Sequence, residues 1–313
     1  MKEIMAAKKR VYRQRSSRMG KTPNWLQMPD EIMGGMILQR LDAVEILMNV
    51  QKVCRDWRRI CKDPAMWKVI DMHRCFDNNY YIVKLTKQAV HRSRGELIDI
   101  SLDDFGTDLL LNFISRWYFY KILNSVVFCV ALNANLVHSS SKLKSLCLTR
   151  CYSITGNGLV RALKRLPCLE TLELFYISID PENIKVIGQS CPQLKTFKIK
   201  TPFMCDGDAF AIANSMPALR HLQLLDSIIT NDGLQAILHG CPHLESLDLS
   251  GCSYLELDGS LEKLCRERIK DFKFTRPSYS LERCICGAGG CSAHQDYELS
   301  VISPEGDFEY DWL

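Results

Sequence analysis

The sequence predicts an α/β fold, a module of three short helices followed by a short curved solenoid of strand–turn–helix units of about 25 residues. Three observations predict it. An apolar-x-x-apolar-x-apolar phrase opens at Leu143, Leu169, Leu194, Leu219, Leu244 and Ile269, at spacings of 26, 25, 25, 25 and 25 residues. Pro167, Pro192, Pro217 and Pro242 keep the same register, as do the small or apolar residues Ala162, Ile187, Ile212 and Ile237. Ahead of them, residues 24–72 carry apolar side chains at helical spacing instead. Repetition at a fixed period of tens of residues is the signature of stacked units.

In the leading module the apolar positions are Ile32, Met36, Ile37 and Leu41, then Val44, Leu47 and Met48, then Val50, Val53, Cys54, Trp57 and Ile60. Asp42 suits the cap of the second helix, and Pro64 ends the third. Gly34 and Gly35 fall inside the first helix, where each costs about 0.5–1 kcal/mol relative to Ala. Such a small module is marginal as an independent core. Residues 73–96 read as a linker with a connecting helix.

Each repeat unit begins with alternating apolar residues, which make a short strand with one buried face. A helix follows, as at Pro181 to Ser190, where Asp180 suits the cap and Pro181 the first turn. The recurring Pro ends the helix and turns the chain into the next strand. One unit cannot bury its apolar face alone, so neighbours must stack. The repeats are read over 97–275, beginning with Leu97-x-x-Ile100-x-Leu102, but from Leu97 to Leu143 is 46 residues. Residues 117–137 are therefore either a degenerate repeat, with Leu123, Val126 and Phe128 as its strand, or a 21-residue insertion. The period favours insertion.

Forty Lys or Arg against thirty-six Asp or Glu give a net charge of +4, unevenly placed. Residues 1–21 hold eight Lys or Arg and one acid, and the last eighteen residues hold six acids and no Lys or Arg. The body is therefore near neutral, between a basic flexible arm (1–23) and a Cys/Gly-rich, then acidic, flexible tail (276–313). The arm is compatible with a solvated segment, a nuclear address, or a nucleic-acid contact or transit peptide. With fifteen Cys, no apolar leader and no Asn-x-Ser/Thr acceptor, the expected compartment is reducing, nucleus or cytoplasm, with free thiols. No membrane span and no nucleic-acid partner are expected.

Enzyme motifs are missing. Gly20-Lys21-Thr22 lacks the first Gly of a phosphate loop, and no His-Glu-x-x-His or Gly-x-Ser-x-Gly occurs. The tail residues Cys284, Cys286, Cys291 and His294 are soft ligands at an unusual spacing, read as incidental thiols rather than a zinc site. The expectation is a non-catalytic protein with no cofactor and no metal.

Two resemblances sharpen this. Met28-Pro29-x-Glu31-Ile32, Ile37-Leu38-x-x-Leu41, Val53-Cys54-Arg55-x-Trp57-Arg58 and Asp63-Pro64-x-x-Trp67 occur in the order and spacing of an F-box, which the module at 24–72 resembles. The repeats resemble cysteine-containing leucine-rich repeats, best in Leu143-x-x-Leu146-x-Leu148-x-x-Cys151-x-x-Ile154-Thr155-x-x-Gly158-Leu159. Together they resemble the plant Skp-interacting F-box/LRR group over about residues 24–275. The resemblance implies a substrate receptor of a Skp–cullin–F-box (SCF) ubiquitin ligase. Its partners would be the Skp adaptor, through it cullin and RING subunits, and an unknown protein substrate. A scaffold acting outside a ligase is the alternative. Carry-over puts Met28, Pro29, Ile32, Ile37, Leu41, Val53, Cys54 and Trp57 near the adaptor. Period-two geometry turns Glu173, Phe175, Lys198, Lys200, His221, Gln223 and Leu225 toward the concave face, as candidate substrate contacts. Phe175 and Leu225 are read there as exposed apolar residues flanking the two lysines.

Overall fold

The structure, a computed structural model, describes residues 28–73, 79–123, 142–257 and 259–275, with the backbone alone over 117–123. The basic arm, the later part of 117–137 and the tail with its Cys and His residues lie outside these.

Helix α1 (Asp30–Ile32) runs on through a π-helical turn (Met33–Ile37) and a 3₁₀ turn (Leu38–Arg40). The irregularity coincides with the Gly pair. A Cβ on Gly34 would lie 3.0 Å from Ile60 Cγ2 and 3.2 Å from Met66 Sδ, whereas one on Gly35 would meet nothing. Gly34 thus permits close packing, and Gly35 only loosens the backbone. Helix α2 (Ala43–Met48) is capped by Asp42, which accepts the Glu45 N–H at 2.6 Å. Helix α3 (Arg55–Ile60) starts at Cys54, whose Sγ accepts the Trp57 N–H at 3.4 Å. Pro64 lies beyond the end of α3 and opens a separate 3₁₀ turn, Pro64–Trp67.

Eight parallel strands then lie side by side in chain order: β1 (Val69–His73), β2 (Asp99–Asp103), β3 (Ser145–Thr149), β4 (Thr171–Phe175), β5 (Thr196–Lys200), β6 (His221–Leu225), β7 (Ser246–Asp248) and β8 (Asp271–Lys273). Helices α4 (Asn79–Arg92), α5 (Asp108–Leu123), α6 (Gly156–Leu163), α7 (Pro181–Ser190), α8 (Asp206–Ser215), α9 (Asn231–Gly240) and α10 (Gly259–Arg268) alternate with them. A parallel sheet in strict chain order, each strand returning through a helix, is an open solenoid. The repeat phrase supplies its core: Leu146, Leu172, Phe197, Leu222 and Leu247 pair across neighbouring strands and are buried.

The solenoid begins one unit earlier than the phrase at Leu97. Val69 to His73 pairs with Asp99 to Asp103, and the helix expected within 73–96 is α4, the helix of that unit. Trp67-x-x-Ile70-x-Met72 is the same phrase with an aromatic first member, 30 residues before Leu97, and all three side chains are buried. β2 pairs directly with β3, from Asp99↔Ser145 to Asp103↔Thr149, so no strand from a degenerate repeat stands between them. Leu123 ends helix α5 rather than starting a strand.

Neighbouring units are tied by repeated polar devices. The residue after a strand takes the left-handed conformation at Asp104, Arg150, Tyr176, Asp226 and Gly251. In each case its N–H donates to the next unit: from Asp104, Arg150 and Tyr176 to the last residue of the next strand, as from Arg150 to the Phe175 carbonyl at 2.8 Å and from Tyr176 to the Lys200 carbonyl at 2.9 Å, and from Asp226 and Gly251 to the Ser250 and Thr275 carbonyls just past it. Asp108 accepts both the N–H and the hydroxyl of Thr155, at 2.9 and 2.7 Å, and Asp206 does the same for Thr230 at 2.7 Å each. Buried cysteines also bridge units. The thiol of Cys252 donates to the Leu224 carbonyl at 3.1 Å, and that of Cys151 to the Leu102 carbonyl at 3.5 Å. Burial pushes the Cys191 thiol up to about 12 and that of Cys151 up to about 11, so both stay protonated.

Candidate functional site

Two surfaces follow from this frame. On the helical module, α1 and α3 are joined by the Arg59 guanidinium, which reaches both carboxylate oxygens of Asp30. That contact holds the Asp30 carboxyl below its usual range. The predicted adaptor residues divide into two groups. Pro29, Ile32 and Val53 are exposed, Val53 by 61% and Ile32 by 41%. Met28, Ile37, Leu41 and Trp57 are half-buried and pack against the core, and half-buried Cys54 starts α3. The first group leaves apolar surface exposed, and the second packs within the module. Met36, exposed by 63%, was not among the predicted contacts. Its place one turn after Ile32, at i and i+4, is the signal that could have found it.

The module is seated on the first repeat unit. The Arg92 guanidinium from α4 donates to the Cys61 carbonyl at 3.2 Å and to Gln51 Oε1 at 2.6 Å, and lies 5.4 Å from the centre of the Trp67 ring. Trp67 Nε1–H donates to the same Cys61 carbonyl at 2.9 Å. Ile60, Cys61, Met66, Trp67, Ile70 and Ile82 form part of one continuous core with the solenoid.

The open face of the sheet carries the alternate strand residues, in rows. One row reads Glu173↔Lys198↔Gln223 and another Phe175↔Lys200↔Leu225, so six of the seven predicted substrate contacts are brought together. His221 sits beside them at the start of β6 and is exposed. Two details differ from the sequence reading. Phe175 and Leu225 are half-buried rather than exposed, because the flanking strands cover them. Both lysines are partnered: Lys198 Nζ lies 2.7 Å from Glu173, and Lys200 Nζ lies 3.3 Å from Asp226 and 5.4 Å from the Tyr176 ring centre. The face as a whole is acidic: Asp71, Asp99, Asp103, Glu173, Asp248 and Asp271 stand against Lys198, Lys200 and Lys273. Burial, reinforced by Glu173 and Asp71, pushes the Asp99 carboxyl up.

Comparison with known proteins agrees with this division. The family model "F-box-like" matches residues 25–73, and "FBD-associated F-box protein At5g56370, LRR repeats" matches residues 201–264. The F-box protein SKIP19 of Arabidopsis thaliana is 42% identical over 296 residues, covering 93% of this chain and 89% of that protein. The chain belongs to the F-box/LRR family. Putative F-box/LRR-repeat protein 23 from the same plant is 43% identical, over 81% of this chain and 54% of its own length. F-box protein FBW2, also from Arabidopsis thaliana, is 29% identical over 80% and 74%. In F-box/LRR terms the first match ends at His73, the last residue of β1, so the family motif includes the first strand of the solenoid.

Among the described residues no three His, Cys, Asp or Glu side chains converge as metal ligands, and no helix is long and apolar enough to cross a membrane.

Proposed function

We propose that this chain is a non-catalytic substrate receptor of an SCF ubiquitin ligase, acting in the nucleus or cytoplasm. The observation that carries the reading is an F-box with an exposed apolar edge (Pro29, Ile32, Met36, Val53) built into the end of a repeat sheet. Exposed apolar residues on a short helical module suit docking into a groove of an adaptor. The Skp adaptor occupies that edge and links the chain to cullin and RING subunits. The open face binds the protein substrate through Glu173, Phe175, Lys198, Lys200, His221, Gln223 and Leu225, and its six carboxylates against three lysines favour a basic segment. Chemistry of ubiquitin transfer belongs to the partners; this chain raises the effective concentration of substrate beside them.

The test is a quantitative pull-down of purified Skp adaptor by the full chain, beside Pro29→Ala and Val53→Asp. Both residues are exposed, so circular dichroism and melting temperature are expected to match the native chain. We expect tight binding by the native chain and at least a tenfold weakening by Val53→Asp. A well-folded native chain that does not bind the adaptor overturns the reading.

A further inference from the structure

The residue immediately before each strand from β3 to β8 forms a ladder along one edge of the solenoid: Lys144, Glu170, Lys195, Arg220, Glu245 and Lys270. Glu170 is held between two cations, with Lys144 and Lys195 each 2.8 Å from its carboxylate. That pairing brings its carboxyl down to about 2. Glu245 is held likewise between Arg220, at 2.6 Å, and Lys270, at 3.8 Å. Each trio keeps one surplus positive charge. Where the trios meet, Lys195 and Arg220 are direct neighbours: the Arg220 N–H donates to the Lys195 carbonyl at 2.8 Å. Their side chains turn to carboxylates on opposite sides, Lys195 to Glu170 and Arg220 to Glu245, so at this step two cations follow each other in the ladder with no acid between them. Every other step of this ladder from Lys144 to Lys270 alternates in sign.

A cleft of about 370 Å³ opens at this junction, lined by Pro192, Gln193, Lys195, Ala218, Arg220 and His243. None of these side chains is acidic. The cleft spans the turns before β5, β6 and β7, so its walls are fixed by three successive units rather than by one mobile loop. Arg220 gives one guanidinium nitrogen to Glu245. Gln193 and His243 add further hydrogen-bonding groups to the lining.

We propose that this cleft binds a phosphate-type dianion, seated between Lys195 and Arg220. A doubly charged oxyanion supplies the negative charge that the ladder lacks at that step, and a guanidinium beside an ammonium is suited to it. The site lies on the edge of the solenoid, apart from the open face, and it does not depend on the ligase reading.

The experiment is calorimetric titration of the full chain with inorganic phosphate and with capped phosphoserine, each against chloride at matched ionic strength. We expect millimolar or tighter binding of at least one phosphate probe. Lys195→Gln and Arg220→Gln each weaken it at least fivefold, while Lys195→Arg and Lys144→Gln stay within twofold of the native chain. Melting curves without ligand confirm that the variants fold. Binding of capped phosphoserine at least threefold tighter than phosphate identifies a phosphorylated side chain as the natural source; equal or weaker binding identifies a free phosphate. An equal response to chloride, or binding unchanged in Lys195→Gln and Arg220→Gln, overturns the site.

Discussion

Asp208, in the first turn of α8, is nearly fully buried. One carboxylate oxygen accepts the Cys205 N–H at 2.8 Å, and the other has no hydrogen-bond partner. Burial pushes its carboxyl up. An acid whose folded-state pKa is raised favours folding in its protonated form, so its ionisation subtracts stability as pH climbs through the unfolded value, about 3.9, towards the folded one. Asp208→Asn keeps an acceptor for the Cys205 N–H and removes the charge. We expect a gain of up to about 1 kcal/mol at pH 7 and none near pH 3.5, read by urea unfolding at both. An equal effect at the two pH values would contradict the assignment. Gly158 makes a different point. A Cβ there would lie 1.9 Å from the Asp108 carboxylate that caps the next unit. Gly158→Ala is expected to lose about 1–3 kcal/mol by overpacking. In an Asp108→Ala background the loss should shrink, because the obstructing carboxylate is gone; a double-mutant cycle measures it.

Among the elements, the unit between β2 and β3 is the outlier. Its helix α5 covers sixteen residues, where α6 to α9 cover eight to ten. β2 and β3 nevertheless pair directly, with no strand between them. Deleting 117–137 joins Arg116 to His138 and restores the 25-residue distance between the phrases at Leu97 and Leu143. The shortened chain is expected to melt at or above the native temperature, by calorimetry. A clear fall would mean that the insertion supports the fold. The left-handed turns after the strands recur with different side chains, Asp104, Arg150, Tyr176 and Asp226, and only Gly251 has the residue for which that conformation carries no steric cost. What recurs is the backbone link to the next strand, which any of these residues can make, and so no Gly column marks it in the sequence.

Across the described residues, the helical module and the solenoid share one hydrophobic core. Trp67 and Ile70 belong to both, and Arg92 of α4 clamps Cys61 and Gln51 from the solenoid side. A fragment of residues 24–73 keeps the complete family motif but loses α4 and β2. We expect it to be largely unfolded at 25 °C by circular dichroism, whereas the full chain melts in a single transition. A cooperatively folded fragment would show that the module has a core of its own. The same contacts hold the exposed apolar edge of the module in a fixed direction relative to the open face.

The one-dimensional pattern determined the repeat period, the buried strand residues, the caps at Asp42 and Asp180 and the order of modules. These rest on neighbours in the chain, and periodicity records them. It also shows which strand residues alternate onto the open face, because alternation along a strand is local. The first repeat was hidden behind Trp67, an aromatic where the other units have Leu or Ile, and behind a 30-residue spacing. Only the tertiary structure decided which module residues face outward, that Lys198 and Lys200 are already paired, and that Lys195 and Arg220 line one cleft. Those facts depend on which strands and helices become neighbours, and side chains 25 or more residues apart acquire their electrostatic partners only when the units stack.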